Sequence, residues 1–191
     1  MRGLRPLLLT ILLLTRSGSA QPTQQVLELD AARSHAAFEV KLLYLFGLHG
    51  EFGSVHGTLS VDRALQLASV DATIETNAVH MRNHRYEAWT KSAEFFDAGH
   101  FPQIHFSSER FPLQRLTAGG EINGMLTIRG IRKPAVFAID PADCAAPLTG
   151  ACAVAAAGTI RRSDFGMHSR RGALADKVEL SLSIFVRPPA S

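Results

Sequence analysis

Cysteine, tyrosine and tryptophan are scarce in this chain: two, two and one among 191 residues. Two cysteines cannot build the disulfide framework that replaces a core in small exported domains, and they lack the Cys-x-x-Cys spacing of a zinc or dithiol site. No Gly-x-Ser-x-Gly nucleophile elbow is present; Gly53-Ser54 and Ser17-Gly18 are only fragments of one. Asp164-Phe165-Gly166 matches the kinase magnesium tripeptide in letters, yet the catalytic-loop motif and strand lysine that should precede it are missing. The expectation is a protein without catalytic residues. Long apolar runs are absent as well: the stretch from Leu7 to Leu14 falls far short of the roughly 20 residues a membrane-spanning helix needs.

That short run has a different reading. Residues 1–20 carry Arg2 and Arg5 ahead of it and small residues after it, with Gly18 and Ala20 at the −3 and −1 positions of a cleavage site. This is the layout of a secretory signal peptide, which leaves a domain over residues 21–191 in the periplasm or outside the cell. Cleavage takes Arg2, Arg5 and Arg16 from the 20 basic residues and no acid, leaving 17 against 17 acidic ones. An exported chain of zero formal charge is not a nucleic-acid binder. In an oxidising compartment Cys144 and Cys152 pair, closing CAAPLTGAC and contributing about 2.5 kcal/mol by chain entropy.

What the sequence does have is alternation of period two. Phe38, Val40 and Leu42 alternate with Glu39 and Lys41; Val70, Ala72, Ile74 and Thr76 alternate with Asp71, Thr73 and Glu75. Val178, Leu180, Leu182, Ile184 and Val186 form the longest such series. Weaker strand candidates cover 48–52, 57–62, 103–108, 121–129, 135–140 and 153–162, and one segment, His80 to Phe96, reads as helical. Eight or nine antiparallel strands, each with a single apolar face, can hide those faces in a sandwich or in a barrel. The small residues of AVAAAGT leave room in an interior unless large residues opposite fill it. A sandwich would instead be a binding module that recognises a protein or a sugar through its loops.

Histidines invite a metal reading, because His80 and His84 stand four apart. The residues between them are Met81, Arg82 and Asn83, so the glutamate of a His-Glu-x-x-His helix is missing, and neither His100 nor His105 is marked out as a third ligand. No metal site is expected.

Five segments in order, AFEVKLLYLFGLHGEF, SAEFFDAGHFPQIHFSS, GMLTIRGIRKPAVFAI, IRRSDFGM and LADKVELSLSIFV, resemble the YceI-like family of exported lipid-binding proteins. The chain departs from the family pattern at Tyr86-Glu87, where many members carry Arg-Asp, and at Trp89, where histidine is commoner. The resemblance implies an all-β fold: a lipocalin-like, extended eight-stranded antiparallel β-barrel with a short helical insertion and a long apolar tunnel. It further implies non-covalent binding of a long-chain lipid such as a polyprenyl phosphate or isoprenoid quinone. The membrane is then only donor or acceptor, no cofactor other than that lipid is called for, and a homodimer lies within the family's range. Parity along the strands assigns the tunnel to Phe38, Val40, Leu42, Ile74, Phe106, Leu126, Phe137, Ile160, Leu180, Leu182 and Ile184. Arg162 then falls at the tunnel mouth, with Asp164 as its charge-assisted partner, either to meet a head group or to fix the turn at Gly166.

Overall fold

The computed structural model describes residues 24–144, 146–170 and 172–188; the expected signal peptide, 1–20, lies outside them. Twelve strands follow one another as β1 (Gln24–Glu28), β2 (His35–Leu42), β3 (Phe46–Phe52), β4 (His56–Asp62), β5 (Leu67–Glu75), β6 (Val79–His80), β7 (Gln103–Ser108), β8 (Phe111–Pro112), β9 (Gly120–Ile128), β10 (Ile131–Ile139), β11 (Val154–Arg161) and β12 (Leu174–Ile184). Two helices interrupt them, α1 (His84–Lys91) and the single turn α2 (Arg115–Ala118). The strands form one sheet in the order β1-β4-β5-β7-β9-β10-β11-β12-β2-β3-β6, with β8 beside β5. Every named pair is antiparallel.

The alternation read from the sequence decides how this sheet curls. On β10, Ala135, Phe137 and Ile139 are buried while Val136 and Ala138 between them are exposed, and β9 and β11 repeat the pattern. A sheet with one apolar face removes it from water by closing on itself. Closure is made where the chain leaving β1 meets the chain leaving β12. Leu29 bridges Val186, the Asp30 amide donates to the Phe185 carbonyl at 2.8 Å, and the Arg187 amide donates to the Glu28 carbonyl at 2.8 Å. The result is a lipocalin-like antiparallel barrel whose wall is carried by the eight strands of seven residues or more together with the six-residue β7 between β5 and β9. Arg129 (φ 53°) and Gly130 (φ 70°) form the two-residue turn from β9 to β10, both at the positive φ that a tight hairpin requires.

The helical insertion is shorter than its apolar spacing predicts. In place of a helix over 80–96, His80 ends a strand on β3 and helix α1 runs only from His84 to Lys91. Both limits are local: the Asn83 side chain accepts from the Arg85 amide at 2.9 Å, and the Ser92 hydroxyl and amide both donate to the Trp89 carbonyl. Strand β1 was not expected, since QQVLE is short and its Val26 is exposed. The disulfide Cys144–Cys152 is present, and Gly150 (φ 75°) within its loop accepts from Arg33 at 3.0 Å.

Glycine does something other than leave room. A Cβ on Gly158 would lie 2.8 Å from the ring of Phe137, its partner across β10 and β11. Gly50 stands in the same relation to Phe38, and the Phe106 ring reaches Gly124 from the diagonal position, where Ser108 is the direct partner. Each ring lies over a glycine on the neighbouring strand, so these small residues seat large ones. Gly158→Ala is therefore expected to lower unfolding stability by about 1–3 kcal/mol through overpacking. Gly53→Ala, where a Cβ meets nothing within 4 Å, is expected to stay within about 0.5 kcal/mol of the parent in the same denaturant titration.

Candidate binding cavity

Inside the barrel lies a continuous cavity. Its volume is about 200 Å³, and it is partly open to solvent. Its wall comes from nearly the whole circumference: Phe38 and Val40 of β2, Val70, Ala72 and Ile74 of β5, Ile104 and Phe106 of β7, Ile122 and Leu126 of β9, Phe137 and Ile139 of β10, Val154, Ala156 and Ile160 of β11, and Val178, Leu180, Leu182 and Ile184 of β12. Ten of the eleven expected tunnel residues line it. Leu42 does not: it is half-buried at the end of β2, while its partner Leu174 does line the cavity. The two are direct antiparallel partners and share a face, so Leu42 keeps the parity of β2 and packs against the core at the strand's end without reaching the lumen.

The insertion supplies lining that strand parity could not reveal. Met81, Tyr86, Trp89, Thr90, Phe95 and Phe96 face the cavity, as does Met167. Trp89 stacks edge-on against Phe95 at 4.4 Å, and Phe96 packs 5.9 Å from Phe38 and 5.8 Å from Phe52. The spacing of Tyr86, Trp89 and Phe96 was the available signal. The phenylalanines thus both pin the insertion to the sheet and face the lumen. No histidine, carboxylate, serine or cysteine is among the lining residues. Thr90 and Tyr86 bring the hydroxyls and Arg162 the one charge, so the arrangement is suited to holding an apolar chain.

Arg162 is 2 % exposed. Its guanidinium donates to three backbone carbonyls, Nε to Ala175 at 2.9 Å, Nη1 to Met167 at 2.6 Å and Nη2 to Leu174 at 3.0 Å. It therefore ties the turn at 162–167 to the start of β12 on the cavity wall, while Arg161 points outward and is exposed. Asp164, expected as its partner, stands exposed on the turn. The carboxylate that serves this segment is Asp176, which accepts from the Ser163 amide at 3.0 Å and hydroxyl at 2.7 Å. Burial alone would raise the Asp176 carboxyl; the two Ser163 hydrogen bonds and the charges of Arg162 and Arg161 outweigh it and hold it below the usual carboxylate range.

The histidines go to separate places. His80 Nδ1 lies 3.8 Å from Glu87, His100 pairs with Asp97 and His105 with Asp71, each at 2.9 Å. Among the described residues no three histidine, cysteine or acidic side chains group as a metal site.

Barrel and cavity together define a lipocalin-like protein with an apolar interior. The chain belongs to the YceI-like family, whose model matches residues 27–186 under the description YceI-like domain. Protein YceI of Salmonella newport is 28 % identical over 177 residues, covering 90 % of this chain and 91 % of that one. Among solved structures, Burkholderia cenocepacia BcnA superposes with a TM-score of 0.65 at 22 % identity, covering 82 % of this chain and 98 % of its own. A polyisoprenoid binding domain from Saccharophagus degradans, implicated in plant cell wall breakdown, gives 0.62 at 12 % identity, with 85 % and 98 % covered.

Arg162→Ala is expected to cost at least about 3 kcal/mol, since three buried carbonyls lose their donor. Asp176→Ala is expected to cost about 1 kcal/mol near neutral pH by leaving Ser163 without its acceptor. Because folding lowers the Asp176 pKa, its contribution is present above the unfolded carboxyl value and lost as pH falls through the folded one. Unfolding curves of parent and Asp176→Ala should therefore converge as the pH falls below about 4.

Proposed function

We propose that the protein holds a long-chain apolar lipid non-covalently in the barrel, as a carrier or store working outside the cytoplasm, and that the lipid is an isoprenoid such as a polyprenyl phosphate or an isoprenoid quinone. The observation that carries this reading is the unbroken apolar lining, drawn from strands on all sides of the lumen and from the insertion. Burial of each methylene is worth roughly 0.8 kcal/mol, so a chain of a few tens of carbons would gain on the order of 20–30 kcal/mol against water. Observed affinities stop near about 20 kcal/mol, and such a lipid resides in a membrane rather than in water. A carrier has only to rival the bilayer, and must release what it takes up. Ligand chemistry of the isoprenoid class is supported by the Saccharophagus relative of the same fold, a polyisoprenoid binding domain. The Cys144–Cys152 bond and the signal-like first twenty residues support a periplasmic or secreted location.

The single charged lining residue gives the lumen a polarity. Arg162 places positive potential against the wall beside Met167 and Leu174, which favours an anionic or carbonyl head group at that position and an apolar tail along β9–β12.

Protein purified without heating or extraction from its native host is expected to yield a long-chain lipid to solvent and mass spectrometry. Ala156→Phe, which fills the lumen, should weaken uptake of a long-chain fluorescent fatty acid at least about tenfold. Ala157→Phe, on the exposed side of the same strand, should leave it unchanged. Equal uptake by parent and Ala156→Phe, with no co-purifying lipid, refutes the reading.

A further inference from the structure

The hairpin between β2 and β3 is built against the ordinary rules for a turn. Leu42 to Phe46 is a run of five apolar residues, and four of them are exposed: Leu43 at 54 %, Tyr44 at 73 %, Leu45 at 78 % and Phe46 at 62 %. Consecutive exposed apolar residues are disfavoured in a soluble domain unless they have a task. Leu43 (φ 51°) and Tyr44 (φ 59°) occupy the two central positions of the turn, closed by the Leu45 amide on the Leu42 carbonyl at 3.1 Å. Asn-Gly suits positive φ at both positions; Leu-Tyr is strained there. More than half of each of these side chains is left in water, so their presence at the tip calls for something outside the fold.

We infer that this tip inserts into the surface of an anionic lipid bilayer and so brings the barrel to the membrane from which its ligand comes. Three observations favour a bilayer over a protein partner. The tip is convex and narrow, a shape that needs a pocket in a protein but none in a lipid interface. Its tyrosine is a residue that places an apolar ring and a polar hydroxyl at head-group depth. Cationic side chains lie beside it: the Leu43 amide donates to Ala173, seating the tip next to the segment that carries exposed Arg170. Arg170 lies over the Trp89 ring at 5.3 Å, which links that segment to α1 and the exposed Arg82 and Arg85 at its start. Of the acids on these elements, Glu39 is paired with Lys41 and Glu87 with Lys91, while Glu94 accepts from the Trp89 indole. The tip is also continuous with the cavity wall, because Leu48 lies two residues beyond Phe46 and Leu174 pairs with Leu42, and both line the lumen.

This inference rests on the carrier reading, and the experiment separates the two. Flotation would be measured for the parent and for the double variant Leu43→Asn, Tyr44→Gly, which suits the turn and should keep or raise the melting temperature. The vesicles are phosphatidylcholine with and without phosphatidylglycerol. The parent is expected to float with the phosphatidylglycerol vesicles and to dissociate as salt rises, and the variant to lose at least about tenfold in apparent affinity. Both should still take up a fluorescent long-chain fatty acid offered free in solution. A parent that does not float, or a variant that floats equally well, overturns the inference while leaving the carrier reading intact. A parent that is dimeric where the variant is monomeric, by light scattering, also overturns it, because a second copy then covers the tip. Failure of both proteins to take up the free probe overturns the carrier reading and the inference with it.

Discussion

The structure depends on one constraint: each long strand has a single apolar face, and all those faces belong to one sheet. A lone antiparallel sheet of this kind has no partner layer to cover it, so it curls until its apolar side faces itself. From that follow the closure between the Leu29 and Val186 segments and the lumen those strands enclose. A second sheet, as in a sandwich, would have let the two faces interdigitate and leave no such space. The insertion through α1 then packs Phe95 and Phe96 against the wall, so the lumen has aromatic lining as well as aliphatic.

Filling and emptiness are balanced by pairing aromatics with glycines. Phe38, Phe106 and Phe137 would claim the lumen if they stood upright from their strands. Gly50, Gly124 and Gly158 let the rings lie close to the wall instead. The alanines of β11 add to the effect, since Ala156 projects one methyl inward where a branched side chain would project three or four carbons. Small residues therefore act at two removes, by being small and by letting large neighbours lie flat.

Much of this was legible in the sequence because strand parity is a strict rule where nothing interrupts it. The even positions of β11 led from Val154 through Ile160 to Arg162, and the structure keeps that order. Parity gives the face but not the depth: Leu42 shares the inward face of Phe38 and Val40 yet stands at the strand's end, beyond the lining. It offers nothing for the partner of Arg162, since a turn has no period. Asp164 is two residues away in sequence, yet Asp176, across the segment, reaches Ser163. The helix was overextended because its apolar spacing runs on past residues whose caps stop it, Asn83 and Ser92.

The chemistry of the lumen bears on what such a protein can select. Hydrophobic attraction is non-directional, so a wall of leucine, isoleucine, valine and phenylalanine reads length and girth rather than functional groups. Met81 and Met167 soften the wall further, being the side chains that adapt most readily to an irregular ligand. Directional selection is left to Arg162, whose nitrogens already hold Ala175, Met167 and Leu174, so its pull on a head group is exerted through its charge more than through new hydrogen bonds. A lumen of this kind binds a class of chains well and distinguishes poorly within it. That suits a carrier, whose ligand must leave for a membrane as apolar as the lumen itself. Direction must then come from where the barrel docks, and not from how tightly it holds.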